Sequence, residues 1–364
     1  MLQVPGERLR RVLPARAAAW WYNGHPDAFT AAGGHESVHD VIADALRGGG
    51  GGGCDTATVV GAGNVALDLA RMLISSPHAL AATDTAPRAL EALRDSVVRR
   101  VVMLVRRGPA AAAFTPKELR EVLGMEGVAV CIDPTQTDDA LLTDADRKNL
   151  KASRPKRRVY DLLCKKASEG PRAGANDRQL ELRFFTAPTA FVEEGERGAY
   201  GDGGLARVAC EARGPGGESG EIDRVALALK SIGQHGLPVE GAPFDEAAGV
   251  IPNDGLGRVR GEAGLYVAGW LKRGASGIIG TNLVCAANTA ACVQEDMASG
   301  LLQVKDTKED PSKVLQTAGA ASGDAVSWAG WESIDAEEMR IGAAEGRPRA
   351  KMTCTAALLA AAAE

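Results

Sequence analysis

The sequence predicts an α/β fold built on a parallel β-sheet, and three observations support this class. Residues 56–105 follow the order strand, glycine-rich turn, helix and strand, which is the repeating unit of a parallel sheet. Hydrophobic residues make up 45% of the 364 residues and charged residues 24%, so the chain can bury a large core. The 44 glycines and the low aromatic content of 4% favour tight turns and close backbone packing.

The elements of the first half are separated by glycine and proline. Six consecutive glycines at 48–53 hold neither a helix nor a strand and predict a flexible loop. A β-branched strand follows at 56–60, and a glycine turn at 61–66 leads into a helix that ends at residue 74, before Ser-Ser-Pro. A second strand at 101–105 ends in two arginines.

The second half has weaker periodicity. Strands are predicted at 182–185, 206–209, 225–229 and 264–270, and a helix rich in small residues at 281–297. The segment 305–324 has the composition of a polar surface stretch, and the alanine-rich residues 356–363 form a tail whose order the sequence leaves open.

Charge and cysteine content exclude several classes of protein. The formal net charge is −5, from 42 basic and 47 acidic residues, which argues against nucleic-acid binding through overall charge. No apolar run reaches the ~18 residues that span a bilayer, and the first residues lack the apolar stretch of a targeting peptide. The seven cysteines are scattered without a C-x-x-C pair, so we expect reduced intracellular thiols, no disulfide framework and no metal site.

The turn at 61–66 has the pattern of a dinucleotide-binding fingerprint. Gly61 allows a sharp turn, Gly63 lets the backbone approach a pyrophosphate, and Ala66 lets helix and sheet pack closely. The helix N-terminus then offers free N–H groups and a partial positive charge. Glycine turns between a strand and a helix are also common without this function, so the pattern alone leaves both interpretations open.

Two arginines at the end of the next strand favour NADP over NAD. An NAD site usually has an acidic residue there for the ribose 2′-hydroxyl, whereas Arg106 and Arg107 can pair with a 2′-phosphate. The alternative is a solvated arginine pair at the end of a strand. The connection at 65–100 is longer than in a minimal unit of this type.

Several ordered motifs over almost the whole chain resemble the adrenodoxin reductase family, the mitochondrial NADPH–ferredoxin reductases. The strongest are VGAGNVALDLAR at 60–71, LVRRGP at 104–109, AFTPKELRE at 113–121 and GWLKRGASGIIG at 269–280. Shorter matches are WWYNG at 20–24, LRFF at 182–185, SIG at 231–233, GVIPN at 249–253 and WESIDAEE at 331–338.

The resemblance implies a flavoprotein that takes hydride from NADPH onto FAD and passes single electrons to a ferredoxin. It assigns the NADP pyrophosphate to Ala62, Gly63, Asn64 and Val65, the 2′-phosphate to Arg106 and Arg107, and a further contact to Glu118. It places Trp270, Gly277, Ile278 and Ile279 against the FAD, with Gly277 also near the nicotinamide end of NADP. Without the family, residues 277–280 would be an ordinary turn before a buried helix.

The resemblance also implies a partner surface. Residues 154–158, RPKRR, are the sharpest basic cluster in an acidic chain, and in the family this segment faces an acidic ferredoxin- or adrenodoxin-type iron–sulfur protein. We expect Arg154 and Arg158 to make the main contacts. The alternative is a solvated charge run at the start of a helix. No catalytic side chain is expected, because the redox chemistry belongs to the cofactors.

The family begins with an FAD-binding unit that carries its own glycine fingerprint, and we expect this chain to lack it. The predicted division is an N-terminal segment with the glycine loop (1–55), an NADP-binding domain (56–230), the C-terminal part of an FAD-binding domain (231–300) and a C-terminal extension (301–364). The fold class is thus a Rossmann-like NADP-binding domain with an incomplete FAD-binding domain.

Three functions remain open at this stage. The first is the ferredoxin reductase, located in the mitochondrion by family and expected to be a monomer. The second is a truncated, flavin-free module that binds NADPH. The third is another NADPH-dependent flavoprotein reductase of the glutamate-synthase small-subunit type, against which the basic cluster at 154–158 and the motif at 331–338 count.

Overall fold

The computed structural model describes residues 2–49, 53–171, 178–193, 205–277, 279–302 and 326–363. They divide into two units. Unit 1 runs to Ile232 and resumes at Val326, and unit 2 extends from Gly233 to Ala325. Part of the predicted glycine loop at 48–53, and all of the segment 305–324, lie outside the described residues.

The first half of unit 1 alternates strands with helices. In chain order its elements are β1 (Val12–Pro14), α1 (Ala15–Asn23), α2 (Val38–Leu46), β2 (Thr56–Val60), α3 (Asn64–Ile74), α4 (Pro77–Ala81), α5 (Pro87–Arg94) and β3 (Arg100–Val105). The strand predicted at 56–60 has these bounds in the structure. The helix predicted to end at residue 74 is confirmed as α3, and the long connection at 65–100 also contains α4 and α5, which begin at Pro77 and Pro87.

The second half of unit 1 adds strands around two longer helices. Its elements are α6 (Pro116–Leu123), β4 (Ala129–Ile132), α7 (Asp144–Ala152), α8 (Arg154–Glu169), β5 (Gln179–Phe184), β6 (Thr186–Glu193), β7 (Leu205–Ala212), β8 (Gly220–Ile222) and β9 (Val225–Lys230). The strands predicted at 182–185, 206–209 and 225–229 are therefore present with longer or slightly shifted bounds.

A six-stranded parallel sheet organises this unit, which confirms the predicted α/β fold built on a parallel sheet. Its strand order is β1-β9-β2-β3-β5-β4, and each neighbouring pair is parallel. Alternate residues of the central strands point to opposite faces, so Val59 and Met103 pack against the helices while Val60 and Leu104 pack on the other side. The N-terminal segment thus belongs to the sheet through β1, which the sequence did not predict.

A small antiparallel sheet covers the face of the parallel sheet that lies opposite the helices. It consists of β6, β7 and β8. Phe191 and Val208 on these strands share a buried cluster with Val102 and Leu104 of the large sheet. Unit 1 therefore has three layers: helices, a parallel sheet and an antiparallel sheet.

Unit 2 is mostly turns around a small core, with α9 (Trp270–Arg273) and α10 (Ile279–Ala298). The prediction of a strand at 264–270 is wrong. Gly264 and Gly269 have φ angles of 81° and 70°, which interrupt an extended chain, and only Tyr266 pairs, in an isolated bridge with Arg258. The helix predicted at 281–297 is confirmed as α10.

The chain returns to unit 1 with α11 (Trp328–Ala344) and α12 (Thr355–Ala362), which pack against each other. The alanine-rich tail is thus largely helical, as its high helix propensity allows. None of the helices in the described ranges combines the length and hydropathy of a membrane-spanning segment.

Candidate functional site

The glycine turn after β2 lies at the carboxyl edge of the parallel sheet. The Gly61 N–H donates to the Leu104 carbonyl at 3.0 Å, which extends the pairing of β2 with β3. Gly61 has a φ of 140°, and a Cβ atom there would lie 2.1 Å from the Ser231 carbonyl oxygen, so this position requires glycine. A Cβ atom at Gly63 would meet no heavy atom of the described residues within 4 Å. The turn is fixed by the sheet on one side and open on the other.

The helix that follows the turn has an uncapped N-terminus. α3 begins at Asn64 after Gly63, which has no side chain to cap it, and the first turn contains no acidic residue. Val65 in this turn is 46% exposed. Because the first N–H groups of a helix lack intrahelical acceptors, this end of α3 is suited to bind an anion.

Arg106 and Arg107 follow directly on β3, the neighbour of β2 in the sheet. Both side chains are exposed. Within the described part of the chain, neither guanidinium group has an ion-pair or hydrogen-bond partner. The structure therefore leaves two cations free at the edge of the sheet that carries the glycine turn.

A second segment is tied to the start of α3 and carries Glu118. The Ala113 N–H donates to the Ala62 carbonyl at 2.8 Å, and the Thr115 N–H donates to Asn64 Oδ1 at 2.8 Å. Glu118 lies in the first turn of α6, which begins just after Thr115. Of the predicted NADP-binding residues, the structure thus brings 62–65 and the segment of Glu118 together.

Two polar atoms of this segment are buried without a partner. Thr115 Oγ1 and Glu118 Oε2 have almost no accessible surface, and neither makes a hydrogen bond to any described residue. Thr115 was not among the residues predicted from the sequence. The signal that points to it is the pattern T-x-x-E at 115–118, which resembles a helix-capping motif.

The basic cluster forms the first turn and a half of α8. Arg154 and Arg158 are exposed, and among the described residues neither has an ion-pair partner, whereas Arg157 pairs with Asp161 at 2.8 Å. No acidic residue occurs in the first turn of α8, so the cations oppose the helix dipole at this end. Two cations at the start of α8, Arg154 and Arg158, are thus left without an ion-pair partner among the described residues and can attract an external anion.

The inner face of α8 is held by a buried tyrosine. The Tyr160 hydroxyl donates to Asp139 Oδ1 at 2.7 Å, and its ring packs with Leu150 in a small buried cluster. Burial first, and then the Asp139 carboxylate, raise the pKa of Tyr160 well above its ordinary value of 10. The tyrosine is therefore a neutral anchor that fixes the basic turn relative to the preceding loop.

The remaining predicted residues lie in unit 2. Trp270 begins α9 and is 45% exposed. Gly277 has a φ of 92°, and a Cβ atom there would lie 2.9 Å from Thr281 Oγ1. Ile278 lies outside the described residues, and Ile279 is the first residue of α10. This unit thus presents an accessible indole and a glycine turn ahead of a long helix.

Comparison with known proteins identifies close relatives, although no family model matches the chain. It is 39% identical over 380 residues to the mitochondrial NADPH:adrenodoxin oxidoreductase of Arabidopsis thaliana, a match that covers 100% of this chain and 74% of that protein. It is 36% identical over 371 residues to the NADPH-ferredoxin reductase FprA of Mycobacterium tuberculosis, covering 99% and 75%. The relatives thus include both mitochondrial and bacterial proteins.

Solved structures give the same result. The structure of Mycobacterium tuberculosis FprA in complex with NADPH matches with a TM-score of 0.77 and 33% identity, covering 100% of this chain and 76% of that chain. Another FprA structure, which reveals a covalent modification of NADP+, matches with a TM-score of 0.79 and 32% identity. The resemblance inferred from the motifs is confirmed, and the chain belongs to the family of NADPH:adrenodoxin oxidoreductases and NADPH–ferredoxin reductases.

Proposed function

We propose that this chain takes electrons from NADPH and passes them, with FAD as cofactor, to a ferredoxin- or adrenodoxin-type iron–sulfur protein. The observation that carries the proposal is the pair Arg106 and Arg107, which has no partner among the described residues and lies at the sheet edge that holds the open glycine turn. The names of the relatives, NADPH:adrenodoxin oxidoreductase and NADPH-ferredoxin reductase, support the same activity.

The dinucleotide is proposed to bind across the turn after β2. Residues 62–65 would receive the pyrophosphate at the uncapped start of α3, where N–H groups and the helix dipole favour negative charge. Arg106 and Arg107 would hold the 2′-phosphate through charge-assisted hydrogen bonds. The unpartnered Glu118 Oε2 would accept a hydrogen bond from the same ligand.

Unit 2 is proposed to hold part of the FAD. The exposed indole of Trp270 offers a stacking surface, and Gly277 lies shortly before α10, in which residues 280–284 are exposed. Ile278 and Ile279 are assigned to the flavin by family resemblance alone. When bound, FAD supplies the conversion between the electron pair of NADPH and the single electrons that an iron–sulfur protein accepts.

The start of α8 is proposed to be the docking surface for the iron–sulfur protein. Arg154 and Arg158 are exposed cations that no described carboxylate neutralises, and they lie at the end of a helix where positive charge is unfavourable. An acidic partner would relieve this repulsion, and the basic surface would accelerate the encounter by electrostatic steering.

We further propose that 56–230 is the NADP-binding domain and that 231–300 contributes to an FAD-binding domain. The glycine fingerprint at 61–66, between a strand and a helix, supports the first assignment, and Trp270 with Gly277 supports the second. A mitochondrial location is proposed from the plant relative, which is named as mitochondrial, whereas FprA comes from a bacterium.

The proposal is tested on the purified 364-residue chain by visible absorption spectroscopy and a coupled assay. We expect FAD to be retained, its absorbance to be bleached by NADPH under anaerobic conditions, and cytochrome c to be reduced only when a ferredoxin is added. Bound flavin that NADPH does not bleach would refute the oxidoreductase function. Saturable NADPH binding without flavin would indicate the NADPH-binding module instead.

A further inference from the structure

Two helices of unit 1 begin with a complete capping box. At α2, Asp40 N–H donates to Ser37 Oγ at 3.1 Å and the Asp40 carboxylate accepts from Ser37 N–H. At α7, Asp146 N–H donates to Thr143 Oγ1 at 3.1 Å and the Asp146 carboxylate accepts from Thr143 N–H at 3.1 Å. In both boxes the hydroxyl and the carboxylate each accept a hydrogen bond from a backbone N–H group that has no acceptor within the helix.

The third sequence of this type, T-x-x-E at 115–118, does not close. Thr115 occupies the N-cap position of α6 but makes no side-chain cap. Its N–H, which Glu118 would accept in a closed box, donates instead to Asn64 Oδ1. Asn64, the first residue of α3, therefore takes the hydrogen bond that would close the box. The side chains of Thr115 and Glu118 do not pair with each other's backbone N–H groups.

The leftover oxygens are the two unpartnered buried atoms of this segment, Thr115 Oγ1 and Glu118 Oε2. A buried polar atom without a hydrogen bond destabilises the fold by about as much as a lost hydrogen bond. A closed capping box would satisfy the Thr115 hydroxyl and the Glu118 carboxylate, but it is not formed. Both residues as wholes are only half-buried, so a ligand can reach the side chains after a change of rotamer. The two oxygens thus lie without a partner in the segment that is hydrogen-bonded to the turn at 62–64.

We propose that the Thr115 hydroxyl is a ligand-binding group which, beside Glu118, accepts a hydrogen bond from the bound dinucleotide. The donor is a ribose hydroxyl, the amino group of the adenine or the carboxamide of the nicotinamide, because these are the hydrogen-bond donors such a ligand presents outside its phosphates. The inference rests on the proposed function, since it requires the dinucleotide to lie on the turn at 62–64. Asn64 is then a positioning residue as well, because it holds the box open.

The test compares Thr115→Val with Thr143→Val, which removes the same hydroxyl from a closed box. We expect Thr115→Val to raise the dissociation constant for NADP+, measured by calorimetry, about three- to tenfold, the effect of one hydrogen bond. Thr115→Ser, which keeps the hydroxyl, should bind within about twofold of the unmodified chain. Thr143→Val should leave NADP+ binding unchanged.

The stability of the ligand-free variants distinguishes a ligand-binding role of Thr115 from a helix-capping role, because loss of a cap would lower the urea midpoint. Thr115→Val removes an unsatisfied group, so its apparent urea midpoint should equal or exceed that of the unmodified chain. Thr143→Val removes a working cap and should lower the midpoint by roughly 0.2–0.4 M. A loss for Thr115→Val as large as that for Thr143→Val would overturn the assignment.

Binding of 2′,5′-ADP shows which half of the ligand carries the donor, and it separates failure of the Thr115 assignment from failure of the proposed function. A loss for both 2′,5′-ADP and NADP+ places the donor on the adenosine half, and a loss for NADP+ alone places it on the nicotinamide half. If the unmodified chain binds NADP+ and Thr115→Val binds it equally well, the role of Thr115 is refuted while the proposed function stands. If the unmodified chain binds neither ligand, the proposed function fails, and the Thr115 assignment with it.

Discussion

The same glycine-to-alanine change should have opposite consequences at two positions of the turn after β2. At Gly61 a methyl group would lie 2.1 Å from the Ser231 carbonyl oxygen, more than 1 Å closer than ordinary van der Waals contact. At Gly63 the same methyl group would meet no atom of the described residues within 4 Å. We expect Gly61→Ala to damage the fold, and Gly63→Ala to damage dinucleotide binding while sparing the fold.

The expected magnitudes follow from these contacts. Gly61 has a φ of 140°, which an alanine adopts only with strain of about 1–3 kcal/mol, and forcing the backbone after β9 away adds about 1–3 kcal/mol. Gly61→Ala should therefore lower the free energy of unfolding by about 2–6 kcal/mol. Gly63 has a φ of −113°, which any residue adopts, so the free energy of unfolding should change by less than about 1 kcal/mol. The new methyl group would occupy the approach of the pyrophosphate and weaken NADP+ binding at least about tenfold.

The assay is urea unfolding followed by circular dichroism, together with calorimetric titration of NADP+, on both variants and the unmodified chain. The reasoning would be refuted if Gly61→Ala unfolded at the same urea concentration as the unmodified chain. It would also fail if Gly63→Ala bound NADP+ with unchanged affinity, because the open side of the turn would then not be the place of the pyrophosphate.

Three further predictions concern charged residues. Replacing Arg106 and Arg107 by alanine should weaken NADP+ binding about 100-fold in calorimetry, from two charge-assisted bonds at an exposed site, and change NAD+ binding less than about twofold. Reversing Arg154 and Arg158 to glutamate should slow ferredoxin-dependent cytochrome c reduction about tenfold at low salt, an effect that shrinks as salt is added. Glu181→Gln should lower the free energy of unfolding in urea by about 1–3 kcal/mol at pH 7, and this difference should vanish at acid pH.

The sign of the last prediction follows from the position of Glu181 on β5. Burial raises the pKa of Glu181, but hydrogen bonds from Arg183 and from Arg100 (2.6 Å) outweigh it, and the pKa lies below its ordinary value of 4.5. A carboxylate with a lowered pKa stabilises the fold above the unfolded pKa, and this contribution is lost as the pH falls through the folded pKa. A difference between variant and unmodified chain that persisted at pH 2 would contradict the assignment.

A matched control separates the effect of reversing charge on α8 from the effect of changing the net charge of the protein. Arg8→Glu with Arg94→Glu changes the net charge equally at exposed residues away from α8, and neither arginine has an ion-pair partner in the described ranges. This control should leave ferredoxin coupling within about twofold. Reversal at Arg154 and Arg158 should not lower stability, because glutamate at the start of a helix complements its dipole. Equal loss of coupling in both double variants would remove α8 as the docking surface.

Much of the central sheet could be predicted because its signals are local. The strand at 56–60, its glycine turn and the strand ending before Arg106 follow from β-branched residues, glycines and their order along the chain. The edge strand β1 has three residues and depends on β9, more than 200 positions later, so no local pattern reveals it. At 264–270 a local pattern predicted a strand that the structure does not form, because glycines with positive φ interrupt the extended chain.

The candidate site likewise contains residues that local motifs predict and one residue that they do not. The turn at 61–66 and the arginines after β3 were predicted because phosphate binding requires glycines and cations at short spacing. Thr115 was not predicted, because a similar pattern, T-x-x-D, closes a capping box at α7, whereas T-x-x-E stays open at α6. The Thr115 N–H is bound instead by Asn64, which is 51 positions away in the sequence, and no local pattern reveals that contact.

The cations assigned to function share one physical property, the lack of an internal partner in the described part of the chain. Acidic residues outnumber basic ones by 47 to 42, so a shortage of carboxylates does not explain it. Arg100, Arg183 and Arg258 all have carboxylate partners. Among the described residues, Arg106, Arg107, Arg154 and Arg158 have none. Leaving these cations exposed keeps their charge unscreened by neighbours, which strengthens their interaction with an arriving phosphate or acidic protein. Arg8 and Arg94 are also exposed without an ion-pair partner among the described residues, so the clustering of unpaired arginines, and not the lack of a partner alone, distinguishes the surfaces proposed to bind anions.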